Sequence, residues 1–400
     1  MLAALMLAVF TISVGFGIML PQLPALIERL LGAGSTAAGV SRATGLLTAL
    51  YMFALFVGAP IWGRLSDQWG RRPVLFIGLA GFGGTMIAFG FFEKLGAVYA
   101  ERALSGLFAA AVTPVALAAV TDFTATKAEL GRRLTFVSLA GISGFLLGPT
   151  LGVVLTRGLG GGQGPLVGPL AVPLVATGIL AMVAALAVAA TLRPAETAPK
   201  RASLPGETPT PGIMHSLLGL GFVVSAGVAV FEVGLALRGE QELGLTPGQV
   251  AAMFTLCSGV MIVVQAMVFS PLVKPEFTRW LIAPAFAMMG AGLFAVPLAT
   301  DFRATLVVVG TVAASAGILS PILTYWIASH AGHKSGADLG KQTAWASLGA
   351  AAGSAVGGLL YDVKWLPNVA FVLTAVVLLL AVWPGLRLPR RLVQNKATDR

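Results

Sequence analysis

Most of this chain consists of apolar runs that nearly all lack Asp, Glu, Lys and Arg. Each run has about the 20 residues that an α-helix needs to span a bilayer. Only 10% of all residues are charged and 57% are hydrophobic, whereas soluble domains carry about 25% charged residues. The sequence therefore predicts an all-α integral membrane protein.

The bounding charges and turn residues divide the chain into twelve predicted spans. These are Leu2–Leu26, Ala43–Trp62, Val74–Phe92, Ala97–Thr121, Leu134–Thr156, Leu166–Leu192, Met214–Leu237, Val250–Ser270, Trp280–Ala299, Ala304–Ser329, Gln342–Tyr361 and Pro367–Leu386. Because this number is even, both termini are expected on the same side of the membrane.

The basic residues predict which side that is. The loops and tail on the side of the termini hold the large majority of the 26 Lys and Arg residues, and such an excess marks the cytoplasmic side. The net charge of +10 is then a topology signal, and no nucleic-acid partner is needed to explain it. The basic tail is expected to meet anionic lipid headgroups.

A long polar segment rich in Pro and Thr separates the first six predicted spans from the last six, and its composition is typical of a flexible linker. We therefore predict two six-helix bundles joined by a cytoplasmic linker and followed by a cytoplasmic tail. The predicted boundaries are 1–192 for the first bundle, 193–213 for the linker, 214–386 for the second bundle and 387–400 for the tail.

A glycine pattern supports a duplication of these halves. The runs "GFLLGPTLGVVL" and "GAAAGSAVGGLL" both lie in the fifth span of their half, and their glycines match. Glycines four apart share one helix face and allow another backbone to approach closely. The matched positions are Gly144, Gly148 and Gly152 in the first half and Gly349, Gly353 and Gly357 in the second.

Three motifs carry a resemblance to a known family. "GRLSDQWGRRP", between spans two and three, resembles the signature loop of the major facilitator superfamily at Gly63, Asp67, Gly70, Arg71 and Arg72. "GFLLGPTLG" resembles the antiporter motif of its drug:proton antiporters at Gly144, Gly148, Pro149 and Gly152, and "RALSG" is similar to a third family motif. The resemblance implies a twelve-helix transporter with two pseudo-symmetric halves.

The resemblance also implies a conformational latch in the signature loop. Asp67 would cap the start of span eleven, where a carboxylate meets free amides and the positive end of the helix dipole. Arg71 would pair with Asp122 at the cytoplasmic end of span four. Because these contacts would form with the cytoplasmic side closed, the latch favours an outward-open state in the absence of substrate.

Ionisable residues inside membrane spans are costly and usually functional. Glu101 and Arg102 in span four and Glu232 in span seven lie at similar depth in the outer half of the membrane. In the family that the chain resembles, spans one, four, seven and ten line the central cavity, so Arg102 and Glu232 are expected to face each other across it. We interpret Glu232 as the proton carrier, loaded and released as Arg102 withdraws and approaches. A snorkelling Glu232 and a static Glu101–Arg102 pair are the alternatives.

The remaining cavity lining is expected to be apolar and aromatic, which suits lipophilic ligands. Its members would be Phe16, Phe231, Gln265, Tyr325 and Trp326, together with Glu232. Taken singly, each of these residues is better explained by lipid contact or core packing than by substrate contact. Sugar symporters usually place many polar side chains in the cavity, and carriers of organic phosphates need paired Arg. Because the predicted lining is largely apolar and Arg102 is the only basic residue predicted well inside a span, both substrate classes are disfavoured.

The sequence thus predicts proton-coupled export of lipophilic or amphipathic molecules, including cations, by alternating access. The protein would act as a monomer in the bacterial inner membrane, and its partners would be the substrate, protons and lipids. Uptake, facilitated transport or lipid transport by the same fold is the alternative, because span one lacks the acid that many drug:proton antiporters carry there. A non-transporting sensor is a further alternative. No enzyme motif, cofactor or metal site is predicted.

Overall fold

The computed structural model describes residues 1–32, 36–89, 94–123, 127–159, 171–192, 211–268, 275–330, 335–361 and 368–397, which form α-helices and short 3-10 turns without a strand. The helices of the first half are α1 (Leu2–Met19), α2 (Leu23–Leu31), α3 (Ala37–Trp69), α4 (Arg71–Phe89), α5 (Leu95–Ala109), α6 (Val112–Asp122), α7 (Lys127–Leu159) and α8 (Ala171–Thr191). Those of the second half are α9 (Pro211–Gln241), α10 (Pro247–Val268), α11 (Ile282–Ala295), α12 (Phe302–His330), α13 (Ser335–Leu359) and α14 (Val369–Ala397).

Two predicted single spans are each broken into two helices, and proline explains both breaks. A 3-10 turn, Leu20–Gln22, separates α1 from α2 and contains Pro21. A turn at Ala110 and Ala111 separates α5 from α6. Ala110 lies four residues before Pro114, which is in the first turn of α6. Because proline lacks an N–H and its ring clashes with the carbonyl four residues earlier, the helix is interrupted there.

Counting each broken pair once, the described helices make twelve passes, so that both termini lie on one side. We call that side the termini face and the other the opposite face. Eleven of the passes are long and apolar enough to span a membrane. The exception is α13, which packs against α3 and α9. Its weaker hydropathy is therefore compatible with burial inside the protein.

The matched glycines occupy equivalent places in the two halves. A Cβ on Gly144 or Gly148 would collide with backbone atoms of α1, and one on Gly349 or Gly353 with backbone atoms of α9. In each half, therefore, the fifth pass packs backbone to backbone against the first. This equivalence is what a duplicated six-helix unit requires.

The halves touch closely at the opposite face. Gly45 of α3 meets Gly358 of α13 backbone to backbone, and Ser41 donates to Gln241 over 3.4 Å. Leu20 from the first half is buried in the hydrophobic core of the second. The structure therefore has this face closed, whereas the latch predicts an outward-open state. The reason is the pair of glycines, which lets the two backbones pack together.

Candidate functional site

A buried ion pair lies in α5. Arg102 donates through Nε to Glu101 Oε2 over 2.6 Å and through Nη2 to Glu101 Oε1 over 3.0 Å. The residues are only 3% and 2% exposed. The guanidinium also lies over two rings, 5.3 Å from the centroid of Tyr51 and 5.8 Å from that of Phe89. The bidentate geometry compensates the desolvation of both charges.

This pairing changes the predicted relation between Arg102 and Glu232. The sequence predicts that Arg102 faces Glu232 across the cavity, but in the structure its guanidinium is held by the neighbouring Glu101. The two adjacent side chains reach each other directly, so the positive charge is neutralised locally. The static-pair alternative describes the observed geometry.

Glu232 itself lies on α9 in a half-buried position. Within the residues that the structure describes, its carboxylate makes no hydrogen bond or ion pair, and it lies close enough to the buried Cys257 of α10 for an electrostatic interaction. An unpaired carboxylate inside a membrane protein is costly unless it can take up a proton or a cationic partner.

The signature loop forms a charged cluster around Arg71. Arg71 donates through Nε to Asp122 Oδ2 over 2.8 Å, and through Nη1 to Asp67 Oδ1 and Ser66 Oγ over 2.6 Å each. These contacts join the termini-face ends of α3, α4 and α6. The structure thus contains the Arg71–Asp122 pair that the resemblance implies.

Other parts of the loop are explained by local geometry. Gly70 connects α3 to α4 with a φ of 91°, a conformation that residues with a Cβ rarely adopt. Gly63 is buried, and its carbonyl accepts a hydrogen bond from Ser66 over 2.8 Å. Arg72 is half-buried in the first turn of α4.

The predicted cap of span eleven by Asp67 is not seen among the described residues. Asp67 is engaged by Arg71, while α13 approaches α3 through Gly340, whose added Cβ would lie 3.3 Å from the carbonyl oxygen of Ala59. Among the described residues, the contacts of the charged cluster join helices of the first half only.

The antiporter motif lies on the face of α7 that contacts α1. A Cβ on Gly148 would lie 2.9 Å from the Cα of Gly17, and one on Gly152 would lie 2.9 Å from Gln22 Nε2. Pro149 sits inside α7 without ending the helix. The motif therefore shapes packing within the first half.

The predicted cavity residues are dispersed. Phe16 stacks on Tyr51 with centroids 5.6 Å apart and lines a small cavity that also reaches Arg102. Phe231 and Gln265 are buried, at 2% and 4% exposure. Trp326 donates its indole N–H to Thr278, and Tyr325 packs edge-on against Trp326. None of the other five predicted cavity residues is among the described lining of this small cavity.

Sequence reasoning placed Arg238 in a loop, but it is 5% exposed in α9. Its Nη2 donates to the carbonyl of Ala299 over 2.9 Å and to that of Pro297 over 3.3 Å. Its Nη1 lies 3.3 Å from Glu242. Arg102 is therefore not the only buried arginine. The i,i+4 spacing of Arg238 and Glu242 was the available signal that α9 continues past Leu237.

The chain was compared with protein families and known proteins. The sequence profile of the Major Facilitator Superfamily matches residues 5–340. Among curated proteins, Multidrug resistance protein 2 of Bacillus subtilis is 25% identical over 367 residues, which cover 89% of this chain and 87% of that protein. Multidrug resistance protein 1 of the same organism is 26% identical over 391 residues, covering 95% and 94%.

A solved structure gives the same fold. The crystal structure of the human organic anion transporter MFSD10 superimposes with a TM-score of 0.78 over 96% of this chain and 98% of that one. At 18% sequence identity this similarity concerns the fold. These relatives are transporters, not enzymes.

Proposed function

This chain belongs to the major facilitator superfamily, and we propose that it is a proton-coupled exporter of lipophilic or amphipathic small molecules. That the chain is a multi-pass membrane transporter follows from its family and relatives. Two relatives that match nearly their whole length are named for multidrug resistance, which supports amphiphiles as the substrate class. The termini face would be the cytoplasmic side of a bacterial inner membrane, and the monomer would be the working unit.

The observation that carries the proton coupling is Glu232. It is a carboxylate within a membrane-spanning helix and has no hydrogen-bonding or ionic partner among the described residues. Such a carboxylate would take up a proton when the protein faces one side of the membrane. It would release the proton on the other side, where a cationic substrate or water stabilises the charged form. The Glu101–Arg102 pair would be the second buried ionisable element. It would keep the net charge of α5 constant while Glu232 on α9 gains and loses its proton.

Replacing Glu232 with glutamine is expected to abolish substrate-driven proton movement, because an amide cannot carry the proton. The measurement is proton flux in proteoliposomes under an imposed pH gradient, with a lipophilic cation, a neutral amphiphile and a metallophore added in turn. Glu242→Gln is the matched control, since Glu242 directly follows the last residue of α9 and its side chain is 44% exposed. It should retain the native flux.

Undiminished proton flux in Glu232→Gln would exclude Glu232 as the carrier. If the native protein moves protons with none of the three compounds, proton-coupled transport of these three compound classes is excluded. Uptake, facilitated transport or lipid transport would then be the better description, which the lack of an acidic residue in α1 already favours. Absence of any substrate flux would favour a sensor.

We propose that the latch between Asp67 and the start of α13 is broken in the conformation seen here. With the opposite face closed, Asp67 contacts Arg71. With that face open, its carboxylate would reach the first turn of α13. The latch then stabilises only the outward-open state.

Asp67→Asn should therefore shift the population toward the present conformation by about fivefold, because a carboxylate at a helix N-terminus contributes about 1 kcal/mol. The check is maleimide labelling of single cysteines at Ser225, halfway along α9, and at Thr48, nearer the opposite-face end of α3, in a Cys257→Ala background. Labelling at Ser225 should rise and labelling at Thr48 should fall. Gln68→Ala, an exposed neighbour, should change neither, and unchanged labelling in Asp67→Asn would reject the latch.

A further inference from the structure

A cavity of about 70 Å³ lies inside the second half, toward the termini face. Three helices form it: α9 contributes Leu218 and Ser225, α12 contributes Ser320 and Thr324, and α13 contributes Gln342. The volume exceeds that needed for a single water, about 10–15 Å³, but is below the 300–1,000 Å³ of drug-sized sites. The cavity therefore has room for one functional group of a larger molecule.

A chain of hydrogen bonds fixes the orientation of the Gln342 amide. The Thr324 hydroxyl donates its proton to the carbonyl oxygen of Ser320 over 2.9 Å. Because a hydroxyl has one proton, Thr324 Oγ1 acts only as an acceptor toward Gln342. It lies 2.6 Å from Gln342 Nε2. In this arrangement the amide nitrogen of Gln342 faces Thr324 and donates to its hydroxyl oxygen.

The oxygen of the same amide is consequently left without a donor. Gln342 Oε1 is buried and receives no hydrogen bond from the described part of the protein. A buried acceptor without a donor loses its hydration without replacement. Among the residues whose side chains the structure describes, no acidic or basic group lines the cavity, so these residues would recognise a ligand by hydrogen bonding.

We infer that this cavity is a substrate subsite that selects amphiphiles carrying an N–H or O–H donor, which is presented to Gln342 Oε1. The inference rests on the proposed transport of amphiphiles and specifies which of them bind best. The apolar body of the ligand would extend from the cavity, while Leu218, Leu323 and Ile327 contact the part nearest the donor. Fully alkylated analogues would leave the amide oxygen unpaired and bind less tightly.

Two dyes of nearly the same shape test this requirement. Rhodamine 123 carries N–H groups on its xanthene nitrogens, whereas tetramethylrhodamine methyl ester has methyl groups there, and both are lipophilic cations. Their dissociation constants are measured on the purified full-length protein in detergent. The readout is the change in the ratio of the two constants on mutation, since different partitioning of the dyes into detergent affects all variants alike.

In Gln342→Leu, the preference for rhodamine 123 over its methylated analogue should fall about tenfold relative to native protein, the effect expected of one lost hydrogen bond. Affinity for the methylated dye should stay close to native, which also reports an intact fold. Thr324→Val provides a second variant, because it releases the amide from its fixed orientation and should lower the preference in the same direction.

Thr311→Val is the matched control for the second variant. Thr311 lies on the same helix and makes the same kind of local bond, to the carbonyl of Val307, but does not line the cavity. Its dye preference should equal that of native protein. An unchanged dye preference in both Gln342→Leu and Thr324→Val would overturn the proposed subsite. The amide oxygen would then accept hydrogen bonds from ordered water only. Failure of native protein to bind either dye would instead refute transport of lipophilic cations, and the subsite with it.

Discussion

Replacing Glu101 with glutamine is expected to lower the free energy of unfolding by about 3–5 kcal/mol, because it leaves a buried arginine without its counterion. Arg102 is 3% exposed and donates hydrogen bonds to both carboxylate oxygens of Glu101. The rings of Tyr51 and Phe89 would remain as its partners, and their attraction does not replace a carboxylate.

Reversible unfolding in mixed micelles, followed by tryptophan fluorescence, measures this loss. Glu242→Gln is the matched control. Glu242 also pairs with a buried arginine, Arg238, but its side chain is 44% exposed. Without Glu242, Arg238 still donates to the carbonyls of Pro297 and Ala299. This control should lose at most about 1 kcal/mol. The double variant Glu101→Gln, Arg102→Met should recover most of the stability, because it removes both charges. Equal losses in Glu101→Gln and Glu242→Gln would contradict the structural role of the buried pair.

Replacing Gly45 with alanine should open the opposite face. The added Cβ would lie 2.6 Å from the Cα of Gly358 and 2.7 Å from the carbonyl oxygen of Ser354. Both are backbone atoms, so no rotamer change relieves the collision, and α3 must separate from α13. Overpacking of this kind costs about 1–3 kcal/mol, which corresponds to a population shift of roughly fivefold to more than a hundredfold.

Labelling of a single cysteine at Thr48, in the Cys257→Ala background, reports this shift as a faster reaction from the opposite face. Gly358→Ala should act in the same direction, since its Cβ would meet Gly45. Gly84→Ala is the control, because nothing lies within 4 Å of its added Cβ. Equal labelling rates in Gly45→Ala and Gly84→Ala would show that the glycine contact does not govern closure.

The arrangement of passes was predictable because hydropathy reports the environment of each segment. The spans, the division into halves and the matched glycines all follow from residues that are either apolar or small. The breaks at Pro21 and near Ala110 were missed, since proline is common within membrane helices and its effect depends on neighbouring packing. Pro60, Pro149 and Pro321 lie inside continuous helices.

The site was less predictable because pair formation depends on side-chain reach. Arg71 and Asp122 are 51 positions apart, and their pairing was anticipated through the family motif. For Arg102, two acids compete as partners, and sequence spacing does not decide between Glu101 and Glu232. Nor does the sequence alone indicate that Thr324 uses its proton on Ser320, the contact that orients Gln342.

The packing of α13 between α3 and α9 also bears on how the protein is made. The other eleven passes are long and apolar enough to cross a bilayer. α13 falls below that hydropathy criterion, and its surface is complemented by protein on two sides. Because a weakly apolar helix gains less from contact with lipid, its integration is expected to depend on packing against α3 and α9, which precede it in the chain. Insertion of this helix and assembly of the two halves would then be coupled.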